Sequence, residues 1–516
     1  MSETVAPSSS AGPRPWWESR KFVAAIVLLA FVPLLYPPIP PLVDLPGHLG
    51  RYRVELDLAN SALLQRYYTF HWALIGNLGI DLLIIPIAKV FGLELGVKLI
   101  VMCIPPLTVA GFLWVSREVH HRIPPTALFA LPFAFGHPFL YGFVNYSLSM
   151  AFAFLAFGLW LRLARLGRTG LRATVFVPIS FLLFVTHTFG WGALGLLAYS
   201  AEVVRQHDLG NRYHRALLKA LPHALVLSGP LLLMLMWRGG ATSQQTIDWF
   251  DWATKKMWLR TALRDRWQAY DVLSALVLPL FLVAETIRNP RLAFSRNLAA
   301  SAIVLLIGFL LLPRVIFGSA FADMRLAPFF IATLLLAIRF KGETDRRTAP
   351  ILASIGLLFF ASRIATTTFS LAKASNEQRE ILSALDRVEP GSRVLSLVGH
   401  ACGDSWSFGR NDHLGGLVIA RKNGFSNEQW IVAGANLLNL RTAQPYGNFS
   451  MDPSQQAFPK DCKVGGWSID KSLARFPRDA FDYVWLIDPP AFSPSTTKGL
   501  QPVWRRADSM LYRVVR

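Results

Sequence analysis

The stretch FVAAIVLLAFVPLLYPPIPPLVDLPGHLGR, residues 22–51, joins an apolar run to a polar turn. Residues 22–36 are apolar, and Asp44, His48 and Arg51 follow them within one short segment. Ionisable residues are rare where a membrane chain turns back, because they must find partners or water. The stretch therefore predicts a membrane-embedded helix, followed by an outer loop that carries chemistry.

The composition extends this prediction to the whole chain. Of its 516 residues, 53% are hydrophobic and only 16% are charged, and several apolar runs are long enough to cross a bilayer. The formal net charge of +20 would suggest nucleic acid in a soluble chain. Here the basic residues gather between apolar runs, as in loops held on the cytoplasmic side. We expect a polytopic α-helical membrane protein.

The positive-inside rule sets the topology. It places residues 1–21 in the cytoplasm as an N-terminal tail and residues 22–370 in a multi-span domain with a first outer loop at 43–76. The segment 77–91 is short and contains Asp81, Pro86 and Lys89, so we interpret it as interfacial or re-entrant; it crosses only if another short segment, such as 125–135, does not. This leaves about eleven crossings (roughly 10–13). The basic segments assigned to the cytoplasm are 117–122, 162–172, 205–219, 288–296 and 339–347.

Polar residues return after the last span. Residues 371–516 are predicted to form an extracytoplasmic α/β domain, since strand-like runs occur at 392–398, 416–420, 483–487 and 510–515. Cys402 and Cys462 both fall in this domain, where an oxidising periplasm permits a disulfide; two free thiols are the alternative.

The position of the polar residues limits the function. The sequence shows no inverted repeat, P-loop, zinc signature or Gly-x-Ser-x-Gly elbow. Its polar residues lie at the outer helix ends rather than at mid-span, where a carrier would bind its substrate. This pattern indicates an event at the outer membrane–water boundary.

The pattern Asp44-x-Pro46-x-His48, many spans and a C-terminal α/β domain resemble the GT-C superfamily of membrane glycosyltransferases. The resemblance covers nearly the whole chain and implies transfer of a sugar from a polyprenyl-phosphate carrier. The loop lacks the acidic pair of the protein mannosyltransferase-like branches, and the C-terminal domain lacks a Trp-Trp-Asp signature. We therefore expect no metal ligands and no cofactor; a divalent cation is the open alternative, although no residue pattern here indicates one.

Asp44 is the predicted catalytic base, because displacement of a lipid phosphate requires removal of a proton from the acceptor hydroxyl. His48, one turn further, would assist Asp44 or contact the phosphate. The alternative for Asp44 is a helix cap before Leu45-Pro46.

The leaving phosphate needs cations, and an arginine fork suits its oxygens. We expect Arg51, Arg314 and Arg325 to bind it, with Arg325 favoured. Arg51 could instead meet lipid headgroups. For Arg325 the alternative is a salt bridge with Asp323. Asp323 is itself included among the predicted substrate-binding residues.

Sugar recognition combines aromatic faces with amide and imidazole groups. His137, Tyr141, Asn145 and His187 are the candidates, and an interfacial aromatic belt or a helix end is the alternative for the rings. The Trp- and Arg-rich loop 238–267 is interpreted as a surface segment on anionic headgroups, with a lid as the second interpretation.

The sequence thus predicts a glycosyltransferase, hexosyl or pentosyl, in a bacterial inner membrane. Its partners would be a polyprenyl-phosphate-linked sugar, a lipid or glycan acceptor and membrane lipids. A lipid or glycan flippase and a non-enzymatic assembly protein are the alternatives.

Overall fold

The computed structural model describes residues 15–238, 245–316, 318–341, 347–403, 405–432, 436–462 and 465–516. Residues 1–14 of the predicted tail lie outside these ranges. The N-terminal two thirds are mainly helical, and a mixed sheet forms the C-terminal unit.

The helices before the C-terminal unit differ widely in length. In chain order they are α1 (Arg20–Leu29), α2 (Val32–Leu35), α3 (Leu45–Asp57), α4 (Gly79–Phe91), α5 (Leu93–His120), α6 (His137–Tyr141), α7 (Val144–Arg165), α8 (Thr169–Thr186), α9 (Thr188–Asp208), α10 (Tyr213–Leu225), α11 (Pro230–Arg238), α12 (Trp252–Arg260), α13 (Gln268–Val272), α14 (Leu278–Arg288), α15 (Arg296–Leu311), α16 (Ala327–Leu336) and α17 (Thr348–Leu382). Short strands β1 (Tyr68–Phe70), β2 (Leu292–Phe294) and β3 (Ile338–Phe340) lie between them.

Five helical segments in the described ranges are long and apolar enough to cross a membrane. They are α5, α7, α8, the continuous run Gln268–Arg288 and the run Thr348–Arg387 that contains α17. The membrane-helical class is therefore confirmed, whereas the count of about eleven crossings stays a prediction.

The two short segments of uncertain topology are both shorter than a bilayer core. Helix α4 has 13 residues and Pro86 inside it, so it extends about 20 Å. Residues Pro125–Phe135 form a buried 3₁₀ helix of 11 residues, about 22 Å long. Neither reaches the roughly 30 Å of hydrocarbon.

The C-terminal unit contains strands β4 (Arg393–Gly399), β5 (Phe425–Ser426), β6 (Leu438–Leu440), β7 (Gln456–Ala457), β8 (Tyr483–Ile487), β9 (Leu500–Arg506) and β10 (Ser509–Val514), with helices α18 (Gly416–Lys422) and α19 (Ile469–Arg475). The strand order is β5-β4-β8-β10-β9, with β7 also on β4. Strand β4 is parallel to β5, β7 and β8, and β10 is antiparallel to β8 and β9.

The prediction of a strand at 416–420 is wrong, because those residues begin α18. A short apolar run does not distinguish a buried helix from a strand by periodicity. The left-handed Asn423 that ends this helix was the available signal. The other predicted strands agree with β4, β8 and β10 within about one residue.

The membrane part and the C-terminal unit are continuous. Helix α17 has 35 residues, so the predicted boundary at 371 falls inside it. The first outer loop also joins the C-terminal unit, because β1 pairs with β6 and Thr69 lies opposite Asn439. Cys402 and Cys462 are disulfide-bonded, with their Cα atoms 5.2 Å apart.

Glycines bring α3 of the first loop against α18. A Cβ atom added at Gly416 would lie 2.2 Å from the carbonyl oxygen of Pro46, and one at Gly50 would lie 2.9 Å from the carbonyl oxygen of Gly416. Only glycine permits this approach of two backbones. The contact fixes the position of Asp44, which directly precedes α3.

Candidate active site

A cavity of about 1030 Å³ lies between the C-terminal unit and the helix ends that the positive-inside rule is expected to place outside. It is lined by residues of the first loop, the tip before α7, the segment around α12, the tip before α16 and the C-terminal unit. We call it the outer cavity. One lining residue from each of these five parts, in the same order, is Val43, Tyr141, Arg260, Arg314 and Asp412.

The walls of the outer cavity are basic and aromatic. Six cations and four carboxylates line it, which leaves an excess of two positive charges; the cations are Lys256, Arg260, Arg264, Arg266, Arg314 and Arg410, and the carboxylates are Asp265, Glu377, Asp412 and Asp488. The guanidinium of Arg264 donates to the carbonyl oxygens of Trp406 and Ser405, both at 2.7 Å. The guanidinium of Arg260 lies 5.6 Å from the centre of the Trp406 ring. Such a surface can bind an anion beside a flat sugar ring.

Arg410 connects three parts of the chain beside the cavity. Its guanidinium donates to the carbonyl oxygen of Pro41 at 2.5 Å and to the carboxylate of Asp265 at 2.7 Å. The hydroxyl of Ser370 on α17 donates to the same carboxylate oxygen of Asp265 at 2.7 Å. The first loop, the long loop and α17 are therefore held in a fixed arrangement.

Asp44 lies at the N-cap position of α3, but its side chain makes no capping hydrogen bond. Its backbone N–H donates to the carbonyl oxygen of Tyr141 at 2.9 Å. Asp44 itself does not line the cavity, whereas its neighbour Val43 and its contact partner Tyr141 do. Burial raises the pKa of Asp44 to about 7, although His413 acts in the opposite direction. The Asp44 carboxylate is thus buried, lies close to the cavity and does not cap α3.

His413 of the C-terminal unit is the ion-pair partner of Asp44. Its Nε2 lies 3.8 Å from the Asp44 carboxylate, and its Nδ1 lies 3.1 Å from Oε2 of Glu428. Burial alone would lower the pKa of His413, but the hydrogen bond to Glu428 and the charge of Asp44 raise it to about 10. His413 is therefore a cation at neutral pH, held between two carboxylates.

Sequence reasoning missed His413 and Glu428, which lie more than 360 residues from Asp44. The available signal was the polar run Ser426-Asn427-Glu428-Gln429, whose residues are all fully buried. Gln429 continues the network, because its amide donates to Glu428 at 2.6 Å and to the carbonyl oxygen of Gly47 at 3.0 Å.

His48 lies on α3 beside this network. Its ring centre is 5.2 Å from that of Trp430, and its Nδ1 is buried without a hydrogen-bond partner in the described structure. Burial holds the pKa of His48 well below its usual range. The ring is therefore neutral, and its predicted catalytic role stays a prediction.

Arg51 and Asn145, two predicted substrate ligands, meet at Asp81 instead of the outer cavity. The Arg51 guanidinium lies 3.0 Å from the Asp81 carboxylate, and both side chains are at most 3% exposed. The Asn145 amide donates to the same carboxylate at 2.9 Å and accepts from the Ile80 N–H at 2.7 Å. These contacts join α3, α4 and α7, which gives both residues a structural role.

Arg325 and His187 form a second group with the aromatic rings. The guanidinium of Arg325 lies 4.8 Å from the Phe143 ring centre and 4.9 Å from that of Phe189. The His187 ring centre is 5.7 Å from that of Tyr146, whose hydroxyl donates to the carbonyl oxygen of Arg325. Arg325 is close enough to Asp44 for its charge to lower the carboxyl pKa. Neither Arg325 nor His187 lines the outer cavity.

Asp323 does not form the predicted alternative salt bridge with Arg325. Its carboxylate accepts from Trp258 Nε1 at 3.0 Å and lies 3.4 Å from Lys255. Both partners are on α12, whose residues Lys256 and Arg260 face the cavity. The interpretation of this loop as a plain surface segment is therefore incomplete, because α12 forms a wall of the cavity. Residues 239–244 of the loop lie outside the described ranges.

His137, Tyr141 and Arg314 do line the outer cavity. The His137 ring contacts the carbonyl oxygen of Thr261 at 3.2 Å, and its backbone N–H donates to Ala262 at 2.9 Å. The Arg314 guanidinium lies 5.6 Å from the Phe321 ring centre. Of these three, Arg314 offers a charge to a ligand. His137 mainly connects the segment before α7 to the residues that follow α12.

No protein-family model and no curated protein matches this sequence. Among solved structures, the chain is similar to ArnT from Cupriavidus metallidurans bound to undecaprenyl phosphate, with 12% identity, a TM-score of 0.51 and coverage of 96% of this chain and 97% of that one. The apo ArnT structure aligns over the same shares at 12% identity and a TM-score of 0.47. The chain therefore has the fold of ArnT, as expected from its resemblance to GT-C glycosyltransferases.

Proposed function

We propose that this protein is a membrane glycosyltransferase that moves a sugar from a polyprenyl-phosphate carrier to a lipid or glycan acceptor. The observation that carries the proposal is the buried Asp44 carboxylate beside a cavity lined by six cations, where burial raises the pKa of this carboxyl to about 7. A general base works best when its pKa is close to the working pH. The positive-inside rule assigns this end to the outer face of a bacterial inner membrane.

The chemistry follows from the charges. Ionised Asp44 takes the proton of the acceptor hydroxyl, and the acceptor oxygen then forms a bond to the anomeric carbon. The bond from that carbon to the carrier phosphate breaks, and its electron pair leaves with the phosphate oxygen. Arg314 and other cations of the outer cavity stabilise the growing negative charge.

The fold supports this choice of carrier, because the ArnT structure of the same fold was solved with undecaprenyl phosphate. The size of the outer cavity also fits, since about 1030 Å³ is at the upper end of the usual range for ligand sites. One cavity can therefore hold both a sugar phosphate and part of an acceptor.

Transfer by the purified full-length protein tests the proposal. Labelled polyprenyl-phosphate sugars are supplied with membrane lipid or glycan acceptors, and Asp44→Asn is compared with wild type. Loss of the base should lower the rate by about 10²–10⁴-fold, while donor binding persists. Asp57→Asn is the control, because it removes an exposed carboxylate from the same helix. Undiminished transfer by Asp44→Asn would remove Asp44 from the mechanism.

A further inference from the structure

A second cavity, of about 520 Å³, lies at the other end of the helical bundle. The outer cavity reaches Tyr141, just before α7 begins, whereas this cavity reaches Arg165 at the end of α7. The two sites are separated by the 22 residues of α7, about 33 Å. We call the second site the inner pocket, and it shares no lining residue with the outer cavity.

The inner pocket collects all five basic segments that the positive-inside rule assigns to the cytoplasm. Five arginines and three carboxylates line it, and the carboxylates are Glu118, Glu202 and Asp208. The arginines are Arg165, Arg172, Arg205, Arg296 and Arg339. The lining therefore carries two positive charges more than negative ones.

Each carboxylate is already paired with an arginine of the pocket. Glu118 binds Arg165 at 2.7 Å, and Asp208 binds Arg296 at 2.6 Å. Glu202 binds both Arg172 and Arg205, at 3.1 Å and 2.5 Å. In the described part of the chain, Arg339 has no ion-pair partner.

Arg172 has an N–H group in the inner pocket that no described residue accepts from. Its side chain is 1% exposed and packs over Trp160, with the guanidinium 4.0 Å from the ring centre. Nη2 donates to Glu202, but Nη1 is buried without a partner in the described structure. A buried N–H of a charged group is costly to leave unpaired. Oδ1 of Asn297 is likewise buried and without a donor there.

We propose that the inner pocket binds the headgroup of an anionic glycerophospholipid from the cytoplasmic leaflet. A phosphate oxygen would accept from Arg172 Nη1 and pair with Arg339, and a glycerol hydroxyl would donate to Asn297. Val119, Leu161 and Val204 supply an apolar wall for the start of the acyl chains. Free phosphate shares the chemistry of the headgroup, but it would fill only a small part of about 520 Å³. Basic pockets on the cytoplasmic side of helical bundles recognise anionic lipids in this way.

Native mass spectrometry of the purified full-length protein tests this assignment. The protein is titrated in detergent with phosphatidylglycerol, phosphatidylcholine or inorganic phosphate. We expect phosphatidylglycerol to bind most tightly and inorganic phosphate to compete with it only weakly. Arg339→Gln should weaken phosphatidylglycerol binding about fivefold, because one arginine near the phosphate is lost. Lys341→Gln is the matched control, since it removes an exposed cation two residues away that does not line the pocket.

Three outcomes would overturn the proposal. Equal binding of the two lipids would show that the pocket does not select for charge. Equal effects of Arg339→Gln and Lys341→Gln would place the lipid on the general surface. Saturation by inorganic phosphate without binding of phosphatidylglycerol would reassign the site to a free anion. None of these measurements involves sugar transfer, so they leave the proposed transferase function untouched.

Discussion

The outer cavity and the inner pocket lie at opposite ends of α7 and use the same residue types, but they differ in which charged group beside them lacks a hydrogen bond. At the outer end, Asp44 has no hydrogen bond to its carboxylate from the described residues, and His413 lies 3.8 Å away. At the inner end, every lining carboxylate is bound to arginine, and Arg172 keeps a free N–H. A carboxylate without a hydrogen bond can accept a proton, whereas a guanidinium can only donate hydrogen bonds, most strongly to an anion. The comparison separates a site suited to chemistry from one suited to binding.

The largest expected effect concerns a buried arginine of the outer end. Arg51→Ala leaves the Asp81 carboxylate buried and unpaired, so the free energy of unfolding should fall by about 3–5 kcal/mol. Arg53→Ala on the same helix breaks a half-exposed pair with Asp57 and a hydrogen bond to the carbonyl oxygen of Ala420, and it should cost only about 1–2 kcal/mol. Denaturation of the purified variants in detergent measures both. Loss of transfer by Arg51→Ala at unchanged stability would instead make Arg51 a phosphate ligand and break the comparison.

The next effect concerns the contact that brings His413 to Asp44. Gly416→Ala forces a Cβ atom to within 2.2 Å of the Pro46 carbonyl oxygen, which should lower stability by about 1–3 kcal/mol and reduce transfer. Gly195→Ala is the control, because this helical glycine has open space around its Cα. That variant should be neutral or slightly more stable. Equal thermal shifts would show that α3 and α18 do not fix the outer site.

A third prediction uses pH. The cationic His413 lowers the pKa of Asp44, so His413→Gln should raise it above about 7. Less Asp44 is then ionised at neutral pH, and transfer should fall about tenfold at pH 7 and recover at higher pH. His214→Gln at the other end is exposed and should leave the pH profile unchanged. A uniform loss of rate across the pH range would contradict the pairing of His413 with Asp44.

The smallest expected effect comes from removing one arginine from each site and measuring both sugar-donor KM and lipid binding. Arg314 and Arg339 each line one site and have no ion-pair partner in the described structure. Arg314→Gln should raise the KM for the polyprenyl-phosphate sugar about fivefold and leave phosphatidylglycerol binding unchanged. Arg339→Gln should leave that KM unchanged. A change in both properties by either variant would mean that the two sites are coupled.

The sequence predicts the class of the fold but not the assembly of the site. Apolar runs are local signals, and they predict the membrane-helical class and the positions of strands β4, β8 and β10. The pairs Asp44–His413 and Arg51–Asp81 depend on contacts between distant segments, and no local pattern encodes them. The strand predicted at 416–420 is wrong for a related reason, because tertiary packing decides the structure of a short apolar run.

The sequence also overestimates how many charged groups are available to a substrate. Residue type and position predict Arg51 and Asn145 as substrate ligands, yet both bind Asp81. The same criteria predict Arg314, which does line the cavity. Which of these side chains is free depends on partners that only the folded chain reveals.

The continuity of α17 has a mechanical consequence. Its apolar first part, in the run from residue 348 onwards, is long enough to span the bilayer, while Ser370, Ala374 and Glu377 further along form part of the outer cavity wall. One continuous helical rod of about 52 Å therefore links the apolar segment to the wall of the outer cavity. A thicker or thinner membrane would tilt or shift this rod. Under the proposed function, bilayer thickness would thereby control how easily the phosphate of a long-chain lipid donor reaches Asp44.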